Sequence, residues 1–179
     1  MTELIRIRPV VEADLELQER IYEDPEDASE FGFFGHQNPG GLRRRWTDKG
    51  FLSQDDGRLA VVRGGAGRMD GEFIGEVSWH KVEHGPTSFG WNIGIGLLAK
   101  ECGKGYGTLA QQLLVKYLFS HTQVNRIEAG TEVTNFAEQR SLEKAGFTRE
   151  GIQRGACFRA GEWRDMVTYS ILRADVDLD

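Results

Sequence analysis

The stretch from Gly94 to Thr108 constrains the fold of this chain more than any other part of its sequence. It leaves an apolar run, crosses a turn in which glycines alternate with other residues, and enters a segment with apolar residues at three- and four-residue spacing. This order predicts a strand, a loop and an amphipathic helix. The buried stripe of that helix is expected to comprise Leu109, Ala110, Leu113, Leu114, Tyr117 and Leu118.

Gly103, Gly105 and Gly107 lie where the predicted helix begins. Glycine adopts backbone angles that other residues avoid, and the first N–H groups of a helix are free and carry the positive end of its dipole. The loop is therefore suited to bind a phosphate or pyrophosphate. Three alternating glycines are also compatible with a flexible turn that only ends a strand, so the motif does not decide by itself.

Two other phosphate-binding motifs fit these residues poorly. A Walker loop needs Ser or Thr after Gly-Lys to bind magnesium, whereas Gly103-Lys104 is followed by Gly105. The run from Gly94 to Ala99 matches a dinucleotide fingerprint, but its helix would have to pass through the glycines that follow, and residues 116–120 contain no acidic residue. We therefore treat that match as a coincidence.

Strand and helix patterns alternate along the rest of the chain. The alternation over Ser88 to Leu97 predicts a central strand, in which Gly90, Gly94 and Gly96 suggest a bulge or the close approach of another backbone. Two antiparallel hairpins are predicted, one over 58–80 and one over 147–172, with a strand over 126–133 and a helix over 135–145. The expected fold class is α/β, with a mixed, mostly antiparallel sheet and about four flanking helices in a single domain, 1–179.

Composition narrows the function classes. With 28 acidic and 22 basic residues the net charge is −6, which argues against nucleic-acid binding and mildly favours a cationic partner. No apolar run approaches the ~18–20 residues of a membrane span. Cys102 and Cys157 lack metal-ligand spacing, and no export segment is evident. We expect a cytoplasmic protein with free thiols, no bound metal and no membrane contact.

The order of strand, Gly-Lys-Gly-Tyr-Gly-Thr and helix resembles the acetyl-CoA loop of the GCN5-related N-acetyltransferases (GNATs). The resemblance continues through Asn135, the Leu-Glu-Lys-Ala-Gly-Phe segment at 142–147, the Arg-Glu-Gly segment at 149–151, and the segments 161–165 and 169–172. It covers the chain from about Trp91 to the end. It is similar to the branch that contains the RimJ/RimL-like ribosomal-protein N-terminal acetyltransferases and many small-amine acetyltransferases.

This resemblance implies acetyl-CoA as cosubstrate and a sheet whose central strands splay apart around pantetheine. It implies that the N–H groups of six residues hold the pyrophosphate: Gly103, Lys104, Gly105, Tyr106, Gly107 and Thr108. It further implies that Leu97, Leu98 and Ala99 pair with the pantetheine amides and that Asn135 bonds the cofactor arm. Relatives usually carry Arg where this chain has Cys102, a loss for which Lys100 or Lys104 is expected to compensate.

The implied reaction is acetyl transfer to a primary amine, on a small molecule or a protein N-terminus, by direct attack. An alternative is a catalytically idle acyl-CoA-binding module, because Glu138 and Leu142 stand where relatives carry a serine and a tyrosine near the thiol. The partners expected are acetyl-CoA and the amine, with a homodimer left open.

Direct attack requires a proton acceptor, because most amines are protonated at neutral pH. We select Glu138 and Glu76 as catalytic candidates, with Glu128 and Glu132 behind them. Glu138 also fits a capping box with Asn135, in which case its role is structural. As a carboxylate in a first helical turn it is expected to remain an anion.

Three phenylalanines, Phe31, Phe33 and Phe34, lie in a glycine-rich loop between the first two predicted helices. In the resembling family this segment often forms one wall of the acceptor site. We therefore select them, with Trp91 of the central strand, as acceptor-binding candidates. Packing of the loop on the core is the alternative for each phenylalanine.

Overall fold

The chain forms seven strands and four α-helices over residues 5–23, 30–36, 38 and 40–178, which are the residues that this computed structural model describes. They follow one another as β1 (Ile5–Pro9), α1 (Leu15–Glu23), α2 (Gly41–Lys49), β2 (Asp56–Arg63), β3 (Glu72–Gly85), β4 (Ser88–Leu97), α3 (Tyr106–His121), β5 (Arg126–Glu132), α4 (Phe136–Lys144), β6 (Thr148–Arg159) and β7 (Glu162–Leu172). Short 3₁₀ turns precede α1, follow β4 and follow β7.

The strands form one sheet in the order β1-β2-β3-β4-β5-β7-β6. Every neighbouring pair is antiparallel except β4 and β5, which are parallel. The α/β class and the mixed, mostly antiparallel sheet predicted from the sequence are thus confirmed. The sequence further predicts that Pro25 and the acidic run from Glu23 to Asp27 interrupt the first helix, but after Glu23 this run lies outside the described residues.

The parallel pair is short. Its register joins Trp91 to Ile127, Asn92 to Glu128 and Ile93 to Ala129, and no pair is formed beyond these in the described part of the chain. β4 nevertheless continues to Leu97 and β5 to Glu132. The two central strands therefore diverge, as the resemblance implied.

Each face of the sheet has its own hydrophobic core. On one face α3 and α4 cover residues that include Trp91, Ile93 and Ile127. On the other face α1 and α2 pack on Ala60 and Val62 of β2 and on β3. A fully buried aliphatic side chain contributes about 1.5–3 kcal/mol, so both cores hold the sheet.

The buried side of α3 differs in part from the predicted stripe. Ala110, Leu114 and Leu118 are buried as expected, but Leu109 is 36% exposed and Gln111 is buried. α3 packs against α4 as well as the sheet. Its buried arc is therefore turned toward α4, which a single amphipathic stripe does not reveal.

Of the two alternatives predicted for the glycines of β4, the bulge is wrong, because the register of β3 and β4 is continuous from Gly90 to Leu97. Another backbone does approach closely at Gly90, where a Cβ would lie 3.0 Å from Arg126 O. A Cβ at Gly96 would lie 3.1 Å from Ile21 Cγ2, and one at Gly94 would lie 3.1 Å from Ser78 Oγ. Close neighbours explain these glycines. β3 also runs to Gly85 rather than His80, since β4 pairs with its extension.

Within the described ranges, no helix combines the length and the apolar character needed to span a bilayer.

Candidate active site

The divergence of β4 and β5 opens a groove on the face where α1 and α2 pack. Strand alternation places Gly94 and Gly96 of β4 and Gly130 of β5 on this face. Gly94 and Gly130 are exposed. The floor of the groove is thus sheet backbone without side chains, which a linear ligand can approach closely.

The edge of β4 beside the gap offers backbone groups. Leu98 N–H donates to Ile74 O of β3 at 3.0 Å, so the groups of Ile95 and Leu97 point by alternation to the opposite edge, toward β5. Leu98 is therefore committed to β3, and Ala99 begins a 3₁₀ turn. Of the three residues predicted to pair with the cofactor amides, only Leu97 has backbone groups that face the gap. The backbone groups of Ile95 also face it, which the sequence analysis did not predict.

The glycine loop enters α3 directly beyond this edge. Gly103 and Gly105 have φ of 76° and 84°, in the left-handed region, and a Cβ at either would meet no atom within 4 Å. No side chain caps α3. Among the described residues no backbone oxygen accepts from the N–H groups of 103–108. The loop has the free donors and open space of an anion site.

Beneath the loop lies a buried carboxylate, Glu101, which is 3% exposed. It accepts from Lys104 Nζ at 3.0 Å and from Arg63 Nη1 at 3.2 Å. Lys104 thus fastens the loop to β2 through Glu101 and Arg63. The charge of Lys104 is partly neutralised by Glu101. Lys104 therefore replaces only part of the positive charge that relatives have from an arginine at the position of Cys102.

Asn135 and Glu138 form half of the expected capping box. Asn135 Oδ1 accepts from Glu138 N–H at 3.2 Å, so Asn135 caps α4. The return bond is missing, because Asn135 N–H donates to Glu132 O at 2.9 Å. The Glu138 side chain instead accepts a hydrogen bond from Gln111 Nε2 of α3. The interpretation of Glu138 as a reciprocal cap is therefore wrong.

Glu138 ends a hydrogen-bonded chain between α3 and α4. Thr108 Oγ1 lies 3.1 Å from Ser141 Oγ, and Ser141 Oγ donates to Gln111 Oε1 at 3.0 Å. Burial raises the pKa of Glu138 from 4.5 to about 7, although the Gln111 hydrogen bond opposes the rise. The expectation that this group remains an anion therefore does not hold at neutral pH, where burial leaves about half of it protonated.

Glu76 lies on the opposite face of the sheet from Glu138, so the structure does not bring the two predicted catalytic carboxylates together. Glu76 is 1% exposed and pairs with Arg58 Nη1 at 3.0 Å. Gln18 Nε2 and the Tyr22 hydroxyl also donate to it. Burial and the neighbouring carboxylate raise the pKa of Tyr22 well above its ordinary value, so Tyr22 keeps its proton.

The phenylalanine loop meets the end of β6. Arg159 Nη1 donates to Glu30 O at 2.8 Å, and its guanidinium lies 5.2 Å from the Phe31 ring centroid. Arg159 also holds Glu132 at the end of β5, because its Nη2 donates to Glu132 Oε2 at 3.0 Å. Phe34 is 60% exposed. The loop therefore borders the open end of the groove.

Phe33 stacks edge-on against His36, with ring centroids 5.6 Å apart. Gln37 and Pro39 of the same loop lie outside the described residues. Trp91 lies elsewhere: it is 4% exposed in the core beneath α3, and its Nε1 donates to Thr122 Oγ1 at 3.1 Å. We therefore assign Trp91 to the core rather than to the acceptor site.

Comparison with known proteins gives a consistent result. A family model described as "Acetyltransferase (GNAT) domain" matches residues 5–148. The chain is 39% identical over 106 residues to "Probable N-acetyltransferase YjcK" of Bacillus subtilis, a match that covers 59% of the chain and 58% of the relative. It is 29% identical over 106 residues to "Putative ribosomal N-acetyltransferase YdaF" of the same species, covering 59% and 57%. The chain thus spans little more than half the length of these relatives.

Two solved structures share the fold. "Crystal structure of spermidine N-acetyltransferase from Vibrio cholerae in complex with CoA and spermine" matches with a TM-score of 0.79 at 18% identity, covering 96% of both chains. "Mycobacterium smegmatis RimJ in complex with CoA-disulfide" matches with a TM-score of 0.72 at 22% identity, covering 98% of this chain and 85% of that one. At these identities the likeness concerns the fold alone.

The glycine loop generates a first prediction. Gly105→Val places a side chain in the open space above the first turn of α3, so it should abolish the rise in melting temperature that CoA confers. Gly50→Val is the matched control, because Gly50 also has a positive φ, 61°, and no atom within 4 Å of an added Cβ. Both variants should lose some stability, but only Gly50→Val should keep the CoA effect. An unchanged CoA effect in Gly105→Val would contradict the assignment.

The raised pKa of Glu138 leads to a second prediction, on the pH dependence of stability. The folded state holds this proton more tightly than the unfolded state, so Glu138 lowers stability progressively as the pH rises from 4.5 to about 7. Thermal unfolding should show Glu138→Gln gaining stability relative to wild type between pH 5 and pH 8. Glu143→Gln, at an exposed position on the same helix, should follow the wild-type curve. Parallel curves for Glu138→Gln and wild type would exclude the shift.

The contact of Arg159 with the phenylalanine loop leads to a third prediction, on the rate of proteolysis. Arg159→Ala removes the bond to Glu30 O and the ring contact, so limited proteolysis should cut within 30–41 several-fold faster. Arg154→Ala, at an exposed position on the same strand, is the control. Equal cutting rates for wild type and Arg159→Ala would show that this contact does not hold the loop.

Proposed function

The chain belongs to the GNAT acetyltransferase family, and we propose that it transfers an acetyl group from acetyl-CoA to a primary amine by direct attack. The observation that carries this proposal is the conjunction of two features: the free N–H groups of 103–108, and the unpaired edge of β4 that begins beside them. A pyrophosphate on the loop would direct the pantetheine along that edge, with Leu97 as its backbone partner. Asn135, already the cap of α4, stands at the far side of the gap.

Glu138 is the proton donor for the departing thiolate in this proposal. As the amine nitrogen bonds the thioester carbonyl carbon and the C–S bond breaks, a proton must reach the sulfur. A carboxyl group with a pKa of about 7 is substantially protonated at neutral pH, which suits it to this role. Leu142, where relatives carry a tyrosine, is fully buried and offers no proton.

The amine proton needs a separate acceptor on the groove face. Glu76 is buried, so an amine would reach it only through the Tyr22 hydroxyl, which already donates to Glu76. The Tyr22 oxygen would lie 3.7 Å from a Cβ at Gly96, above the groove floor. Glu128 and Glu132 are held by Arg126 and Arg159, as Glu76 is by Arg58, but within the described residues neither of them accepts from a hydroxyl group that could relay the proton. We therefore place the acceptor role on the Tyr22–Glu76 pair.

The relatives named above are named as N-acetyltransferases, which favours an enzyme over an idle acyl-CoA-binding module. A thiol-release assay with acetyl-CoA and a panel of primary amines tests the proposal. Amine-dependent release of CoA supports it. CoA binding without release for any amine would leave the idle module as the function.

The proton-donor role makes a prediction about pH. Glu138→Gln should lower kcat by about 10²-fold, and the fall of wild-type kcat above a pH near 7 should be lost with the carboxyl group. Glu143→Gln should keep the wild-type kcat and its fall above a pH near 7. If Glu138→Gln instead removes a fall in kcat below pH 7, the group is a base; near wild-type rates at every pH would leave it structural.

A further inference from the structure

Two adjoining cavities extend the groove under α2. The larger, about 650 Å³, reaches from Asn38 to Tyr22, and the smaller, about 330 Å³, reaches Ser78 and His80 of β3. Arg45, Asp48 and Arg58 line both cavities. The two cavities therefore adjoin, and we refer to them together as the recess.

The recess opens onto the floor of the groove. Ser78 pairs with Gly94 across β3 and β4, and Ser78 Oγ would be 3.1 Å from a Cβ at Gly94. Tyr22 lies over Gly96 at the other end. An acceptor whose amine lies above these glycines has its remaining atoms directed into the recess.

The carboxylates that face the groove already have guanidinium partners. Glu76 pairs with Arg58 at 3.0 Å, Glu128 with Arg126 at 2.6 Å, and Glu132 with Arg159. A polycationic acceptor needs unpaired carboxylates, and these three supply none.

The arginines of α2 differ from these carboxylates, because two of the three form no ion pair within the described residues. Arg43 pairs with Glu12 at 3.0 Å on the surface, away from the recess. Arg44 and Arg45 line the larger cavity and form no ion pair with any residue in the part of the chain that the structure describes. Among the described residues, Asp48 is the acidic residue that lines that cavity, and the smaller cavity adds Asp56 and Lys49, so the lining of the recess keeps an excess of positive charge.

We propose that the acceptor is an amine that also carries a carboxylate or phosphate group, and that this anion binds Arg45 in the recess under α2. The inference rests on the proposed function, whose acceptor class it specifies. Arg45 provides a planar fork of donors that matches either anion. The chain's overall charge of −6 mildly favours a cationic partner, but the local lining of the recess opposes one.

The test compares amines with and without the anion, and kcat/KM is expressed per neutral amine because the anion also raises the pKa of the amino group. Phenylalanine is paired with phenylalaninamide, and glucosamine 6-phosphate with glucosamine; spermidine serves as the polycation. The kcat/KM of the thiol-release assay should be at least about 10-fold higher for the anionic member of at least one pair, and lowest for spermidine. The pair that responds identifies the anion as carboxylate or phosphate.

Arg45→Gln should lower kcat/KM for the preferred anionic amine by about 10- to 100-fold and leave its neutral analogue within about 2-fold. Arg43→Gln is the matched control and should behave as wild type with both. A melting-temperature rise with the anionic amine in the presence of CoA, lost in Arg45→Gln, gives a readout independent of turnover.

The other outcomes contradict either this inference alone or the proposed function together with it. Equal kcat/KM for neutral and anionic amines, or preference for spermidine, overturns the inference while the acetyltransferase proposal stands. An equal loss for both members of a pair in Arg45→Gln also overturns it. If no amine releases thiol and none raises the melting temperature, the proposed function fails and the inference fails with it.

Discussion

The arrangement of the whole site depends on the point at which β4 and β5 stop pairing. Three ladder pairs hold the parallel strands together, and after Ile93 each strand continues without the other. A strand edge in the middle of a sheet has backbone donors and acceptors that normally find partners. Here the helices cover the two faces of the sheet but leave this edge of β4 unpaired. The gap is therefore suited to bind a ligand with amide groups.

Elements with a local cause could be predicted from the sequence. β4 was bounded at Ser88 and Leu97 because its side chains alternate, and the start of α3 followed from glycines with positive φ. Asn135 was placed at the start of α4 because a capping side chain acts on a neighbouring N–H. Each signal lies within a few residues of the structure that it specifies.

Features that join distant segments could not be predicted in this way. Glu138 turns to Gln111 of another helix, and its pKa follows from burial that no local pattern encodes. Arg159 contacts both Glu132 and the loop at Glu30, which are far apart in sequence. Gln111 lies outside the predicted apolar stripe of α3, and it is buried because α4 packs against that side, which is a tertiary effect.

The hydrogen-bonded chain between α3 and α4 has only one possible direction. Ser141 gives its proton to Gln111 Oε1, so its oxygen must receive the proton of Thr108, and the Gln111 amide N–H points to Glu138. Every donor thus points toward the carboxyl group, whose oxygen accepts from Gln111 in both protonation states, more strongly when the group is ionised. Glu138 can therefore gain and lose a proton while the helix pair stays fixed, which separates acid–base chemistry from any movement of the scaffold.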